Sequence, residues 1–159
     1  MICIMFVCHG NICRSPMAEY VFRDMVEKRG LGDLFYIASS ATSKEELGNP
    51  VHYGTKKKLK EHGINADGKR AVQLQKIDYE KYDHLFGMDQ RNIINMNRIM
   101  NLDPTKKIRR LLDLTENPRD IADPWYTGNF DQTYDDIYEG CEALLEYIKN
   151  TNVEMKIKC

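Results

Sequence analysis

Two kinds of hydrophobic pattern alternate along this chain. Short unbroken apolar runs read as buried strands, and longer stretches with apolar residues every three to four positions read as amphipathic helices. Residues 2–7, Ile-Cys-Ile-Met-Phe-Val, predict a buried strand. A helix follows over 15–28, ending near Gly30, with Met17, Tyr20, Val21 and Val26 on its apolar face. A strand is expected at 35–39, a helix at 51–62 closed by Gly63, and a short strand within 69–74. Residues 84–88 predict another strand, followed by a helix from 89 to about 100, and 108–112 a fourth core strand. After a polar loop, 130–148 form the last helix, with Tyr134, Ile137, Leu144, Leu145 and Ile148 toward the core. Such alternation implies an α/β domain, a parallel sheet with helices on both faces. Sheets of this kind bind ligands at the carboxyl ends of their strands. Nothing repeats, and residues 149–159 read as a peripheral tail.

At 159 residues the chain is expected to be one domain spanning 1–159, and 42% hydrophobic residues supply a core. A formal net charge of −1 offers no footprint for nucleic acid or an anionic membrane. No apolar stretch approaches a membrane span, and residues 1–7 lack the basic region and cleavage site of a signal peptide. Five cysteines are an odd number for a disulfide framework, and none stands with histidine at metal-ligand spacing, so a reducing cytoplasm and no metal are expected. His52, His62 and His84 read as structural or surface residues and Cys3 and Cys141 as core. The acids Asp131, Asp135, Asp136 and Glu139 favour a helix start, and the run 56–58 of lysines is a solvated face.

Where the first strand ends the chain reads Cys8-His9-Gly10-Asn11-Ile12-Cys13-Arg14-Ser15-Pro16. Gly10 and Asn11 mark a loop, and Ser15 and Pro16 suit the N-cap and first position of a helix. A strand, a short loop and a helix N-terminus make an anion cradle, because unpaired backbone N–H groups and the helix dipole converge there. Cys8 would lie beside that dipole and Arg14, both of which favour a thiolate. The planar fork of Arg14 matches two phosphate oxygens. A nucleophile on the floor of an oxyanion site describes phosphoryl transfer to cysteine. Among the cysteines only Cys8 has an arginine six residues on.

A second chemical segment is Asp123-Pro124-Trp125-Tyr126-Thr127-Gly128. A carboxylic acid on a loop near a bound phosphate can protonate a departing alkoxide or phenolate, and Trp125 and Tyr126 can wall an aryl leaving group. By itself the segment reads more readily as ordinary turn chemistry.

Taken together, these segments resemble the low molecular weight protein tyrosine phosphatases over essentially the whole chain. Residues 8–16 match the family's phosphate-binding signature and 123–126 its general-acid loop. Ser39 within Ser-Ser-Ala-Thr-Ser, the His62-Gly63-Ile64 step and Met88-Asp89 match between them. The resemblance implies a three-layer, flavodoxin-like fold with a four-stranded parallel sheet and a mechanism without cofactor or metal. It makes Cys8 the nucleophile, Arg14 the phosphoryl holder and Asp123 the acid and then base. His9, Gly10, Ile12 and Cys13 complete the loop, and Ser15 steadies the thiolate. Asn11 and Ser39 brace the loop, and Asp89 pairs with the arginine. Its implied partners are phosphotyrosine proteins met by a monomer or weak dimer, with no nucleic acid and no membrane insertion.

Two positions depart from the family. Lys69 stands where a histidine is common near the acid at 89, and 42–46 places Glu45 where the cleft wall commonly has an aromatic. An acidic lip there would disfavour acidic phosphopeptides. Cys13, five residues from Cys8, is placed either to trap an oxidised Cys8 as a disulfide or simply to pack. Arginine phosphatases of the same fold carry threonine where this chain has Ile12. A thiol-dependent arsenate reductase would need relay cysteines that 14–140 lacks. An idle phosphate-binding module would not need Cys8, Arg14 and Asp123 together.

Overall fold

The first apolar run forms β1 (Ile2–Cys8), and the computed structural model, which describes residues 1–152, shows why it is apolar nearly throughout. Ile4, Phe6 and Cys8 enter the larger of two core clusters, while Met5 and Val7 enter the smaller one. A strand covered on both faces cannot alternate apolar with polar. It pairs in parallel with β2 (Phe35–Ala41) on one side and β3 (His84–Gly87) on the other, and β3 pairs with β4 (Ile108–Arg110). The order β2-β1-β3-β4 matches the flavodoxin-like expectation. The chain leaves β1 toward one edge and later returns to its other side, so the loop after β1 opens into the crevice of the switch point.

Among the described residues six α-helices connect and cover the strands: α1 (Arg14–Lys28), α2 (Tyr53–Glu61), α3 (Asp78–Lys81), α4 (Gln90–Met100), α5 (Pro124–Thr127) and α6 (Phe130–Thr151). The larger cluster joins Met17, Val21 and Phe22 of α1 to Leu59 of α2 and to Ile137, Leu144 and Leu145 of α6. Phe6 lies at its centre, edge-on to Phe22 and stacked on Phe86. Met96 and Met100 of α4 cover the opposite face through the smaller cluster. These are the expected three layers.

Several boundaries differ from expectation for local reasons. The cap position of α1 is Cys13 rather than Ser15, and its side chain makes no capping bond. Ser15 and Pro16 lie inside the first turn, where N–H groups have no intrahelical partner and proline is tolerated. Segment 69–74 is not a ladder strand. It makes isolated bridges between Pro50 and Arg70 and between Ala41 and Gln73, closing the end of edge strand β2. The helix expected from 51 starts at Tyr53, and β4 ends at Arg110 in a short 3-10 turn (Leu111–Leu114). Cys3 is only partly buried, whereas Cys141 is fully buried. The tail expectation for 153–159 lies outside the described residues. Among those described, no helix is long and apolar enough to cross a membrane.

Candidate active site

The loop from β1 to α1 is built around Asn11, which is buried with φ at +60°. Asparagine enters this left-handed region more readily than most residues. Its Nδ2 donates to Ser15 Oγ at 2.8 Å and Ser39 Oγ at 3.0 Å, and its Oδ1 accepts from the Val72 N–H at 3.1 Å. Ser15 Oγ, which accepts from Asn11, also lies 3.0 Å from Cys8 Sγ and 3.5 Å from the Ser40 carbonyl, and its proton can serve either. The Asn11 N–H also reaches that sulfur, at 3.3 Å. Two groups able to donate thus face one sulfur.

Behind the loop lies a buried polar group that the sequence reading did not assemble. Ser39 Oγ donates to Glu19 Oε1 at 2.6 Å, and Glu19 is 4% exposed. Lys69 Nζ donates to the Ser39 carbonyl at 2.9 Å and lies 3.7 Å from Glu19. The expectation that Lys69 lies near Asp89 is therefore corrected. Lys69 belongs with Glu19 on the β2 side of β1, while Asp89 follows β3 on the other side. Burial pushes the Lys69 ammonium below its ordinary range, and Glu19 works against that. One sequence signal pointed to Glu19: an acid beside Ala18 and Val21 on the covered face of α1, four residues before its partner Arg23.

Arg14 is 2% exposed and fully occupied at one end. Its Nη1 donates to Asp89 Oδ2 at 2.6 Å and to the Ile121 carbonyl at 2.9 Å, and its Nη2 lies 3.4 Å from Asp123 Oδ2. Nε is buried with no partner among the described residues. Burial disfavours the guanidinium charge, but Cys8, Asp89 and Asp123 outweigh it and hold its pKa above the ordinary value. Asp89 caps α4 through Oδ1, which accepts from the Asn92 N–H at 2.7 Å, leaving Oδ2 for Arg14.

Asp123 takes part in the turn that its segment allowed and also faces the cleft of Cys8 and Arg14. Its Oδ1 caps α5 by accepting from the Trp125 N–H at 3.0 Å, and its Oδ2 faces Arg14. The segment is tied just past the end of β3, where the Ile121 N–H donates to the Met88 carbonyl. Cys8, Ile12, Arg14, Asp123, Trp125 and Tyr126 line one cleft of about 120 Å³. Trp125 and Tyr126 form its exposed wall, and Gly10, Cys13 and Glu46 also border it. At the mouth His9 Nε2 meets Glu45 Oε2 at 2.9 Å. Burial, together with Cys8 and Asp123, pushes the Cys13 thiol up to about 12. A larger groove of about 550 Å³ between α1 and α6, floored by His62 and Tyr134, has no cysteine, serine or threonine in its lining. The smaller cleft is where Cys8, Arg14 and Asp123 converge.

His52, read from the sequence as structural or surface, stands at the edge of this cleft. It caps α2 and packs edge to face on Trp125. The sequence signal that could have shown this is its place just before the apolar-periodic part of a helix, where a cap is needed.

Known proteins share the sequence and the fold over nearly the whole length. The chain is 42% identical to the low molecular weight protein-tyrosine-phosphatase YfkJ of Bacillus subtilis over 151 residues, 94% of this chain and 97% of that protein. It is 37% identical to the low molecular weight protein-tyrosine-phosphatase PtpA of Staphylococcus aureus, covering 97% and 99% of the two chains. The crystal structure of YfkJ superposes with a TM-score of 0.91 at 41% identity, over 96% of this chain and 97% of that one. A Drosophila arginine phosphatase superposes with a TM-score of 0.83 at 30% identity, over 92% and 97%. The family model for low molecular weight phosphotyrosine protein phosphatases matches residues 3–154, nearly the whole chain, and with the cradle and acid loop inside that span the chain belongs to this family.

Proposed function

We propose that the cleft hydrolyses phosphotyrosine in protein substrates through a phosphocysteine intermediate. One observation carries this reading: Cys8 Sγ, faced by two groups able to donate, lies in the same small cleft as Arg14 and Asp123. The phosphoryl oxygens take the loop N–H groups, the positive end of α1 and the Arg14 fork, including Nε. Cys8 attacks phosphorus, the P–O ester bond breaks, and Asp123 gives its proton to the departing phenolate. Asp123 then takes a proton from water, which attacks phosphorus. The P–S bond breaks, and inorganic phosphate leaves with the thiolate restored. Every group in this sequence comes from one chain, which supports action as a monomer. The free thiols at Cys3, Cys8, Cys13 and Cys141 support a reducing, cytoplasmic setting. The test is release of phosphate from an aryl phosphate in the presence of chelator. Full activity is expected, and activity that disappears and returns with a divalent metal contradicts the scheme.

The choice of phosphotyrosine over phosphoarginine rests on Ile12. Its branched hydrocarbon lines the cleft with Trp125 and Tyr126. This suits a phenyl ring and offers no partner to the donors of a phosphoguanidinium. Phosphoserine has too short a stem to fill the aromatic wall while its phosphate rests on the loop. Phosphotyrosine peptides are therefore expected to have the highest kcat/KM. Ile12→Thr should shift the phosphoarginine-to-phosphotyrosine ratio by roughly tenfold or more, the scale on which a single pocket contact discriminates. If the unmodified protein prefers phosphoarginine peptides, the arginine phosphatase reading replaces this one.

Cys13 borders the same cleft and remains a thiol at neutral pH. Peroxide converts the Cys8 thiolate to a sulfenic acid, and the Cys13 thiol condenses with it, forming the disulfide and releasing water. Mild peroxide should therefore inactivate the enzyme reversibly. Cys13→Ser should turn over substrate yet lose its recovery by added thiol. Peptide mapping that joins Cys8 to Cys3 or Cys141 overturns this assignment.

A further inference from the structure

No step of the reaction uses His52, yet several segments of the site meet on it. Its backbone N–H donates to the Ile12 carbonyl of the cradle at 2.8 Å. Its Nδ1 accepts from the Gly54 N–H at 3.0 Å and caps α2. Its ring stacks on Phe130, at the start of α6, with centroids 5.4 Å and planes 16° apart. It meets the Trp125 ring edge to face, with centroids 5.5 Å and planes 75° apart. The Phe130 ring occupies the space a Cβ at position 54 would need, 2.4 Å away, so it is the glycine there that admits it. The His52 ring is thus stacked with Phe130 and with its neighbour Tyr53, at 4.6 Å, and meets the acid loop through Trp125.

The acid loop needs such support. Its helix α5 has four residues, too few to hold a conformation by helix propensity. Trp125 is 57% exposed, and among the described residues His52 is the one ring packed on it.

We propose that His52 is the positioning residue of the acid loop. Its ring holds Trp125 in the cleft wall, and the Trp125 N–H, bonded to Asp123 Oδ1 at 3.0 Å, passes that position to the carboxyl facing Arg14. Through its bond to Ile12, the same residue fixes the wall relative to the cradle. The inference rests on Asp123 acting as the proton donor.

Trp125 is the only tryptophan of the chain, so intrinsic emission reports this wall alone. Two substitutions separate the ring of His52 from its cap. His52→Asn keeps a capping oxygen and removes the ring, and His52→Phe keeps a ring and removes the capping acceptor. His52→Asn should raise acrylamide quenching of Trp125 and lower kcat on phenyl phosphate by roughly three- to tenfold, the factor one aromatic pair supplies. The loss should be smaller on p-nitrophenyl phosphate, whose leaving group needs less protonation. Inhibition by inorganic phosphate should change by less than about twofold, because the cradle is untouched. His52→Phe should restore quenching and kcat while lowering the melting temperature through the lost cap. If His52→Asn leaves quenching unchanged, or if both variants lose activity in step with melting temperature, His52 is only a cap and the proposal fails. Quenching is read without turnover. Absence of aryl phosphatase activity in the unmodified protein would therefore defeat the catalytic reading separately from this one.

Discussion

Cys8→Ser is expected to abolish turnover while leaving anion binding in place. Removal of a covalent nucleophile lowers kcat by orders of magnitude, so residual activity should fall well below about one-hundredth of the unmodified protein. The substitution is nearly isosteric, and the groups that would hold a phosphoryl dianion lie elsewhere. They are the backbone N–H groups of the loop, the start of α1, and Arg14 clamped by Asp89 and the Ile121 carbonyl. Phosphate or vanadate should therefore bind Cys8→Ser with affinity near that of the unmodified chain, measured by calorimetry or by the emission of Trp125. Activity retained above the stated level removes the covalent step. Anion binding lost together with activity would mean that Cys8 is needed to shape the loop, where it meets Asn11 and Ser15.

Asp123→Asn should have the next largest effect, and its size should depend on the substrate. Loss of a general acid costs roughly 10²- to 10⁴-fold when the leaving group is poor. Asparagine is also a good N-cap and can keep the bond from the Trp125 N–H, so α5 should persist. The variant then removes mainly the transferable proton. Across a series of aryl phosphates the deficit should shrink as the leaving phenol becomes more acidic, because a stable phenolate needs no proton at the transition state. A deficit equal for all leaving groups would give Asp123 a binding role through its 3.4 Å approach to Arg14.

The parts of this site that could be read in advance are those contiguous in the chain. From Cys8 to Pro16 the strand end, loop and helix start follow one another directly. Backbone geometry alone therefore brings the thiol, the N–H groups and the Ser15 hydroxyl together. The elements likewise carry their own signals: the unbroken apolar run of β1 reports burial on both faces, and the face of α6 follows a helical period. Segment 69–74 misled because apolar residues such as Leu74 pack on the core without extending a ladder, a distinction residue type does not encode. The first turn of α1 misled because Ser15 favours a cap in general but here is engaged by Cys8 and Asn11.

The order of the sheet decided the rest. Arg14 meets partners 75 and 109 positions away: Asp89 follows β3, which lies beside β1, and the Asp123 segment, which comes after β4, is tied just past the end of β3 by the bond from the Ile121 N–H to the Met88 carbonyl. Placing β2 on the other side of β1 sends Lys69 to Glu19 and Ser39 instead of Asp89. The link from His52 to Trp125 exists only because the start of α2 lies against both α5 and the start of α6. Local chemistry along the chain determined which groups could react, since a strand-loop-helix is specified by adjacent residues. Which charges and rings surround them was left to tertiary packing, because those contacts join segments whose proximity no local preference encodes.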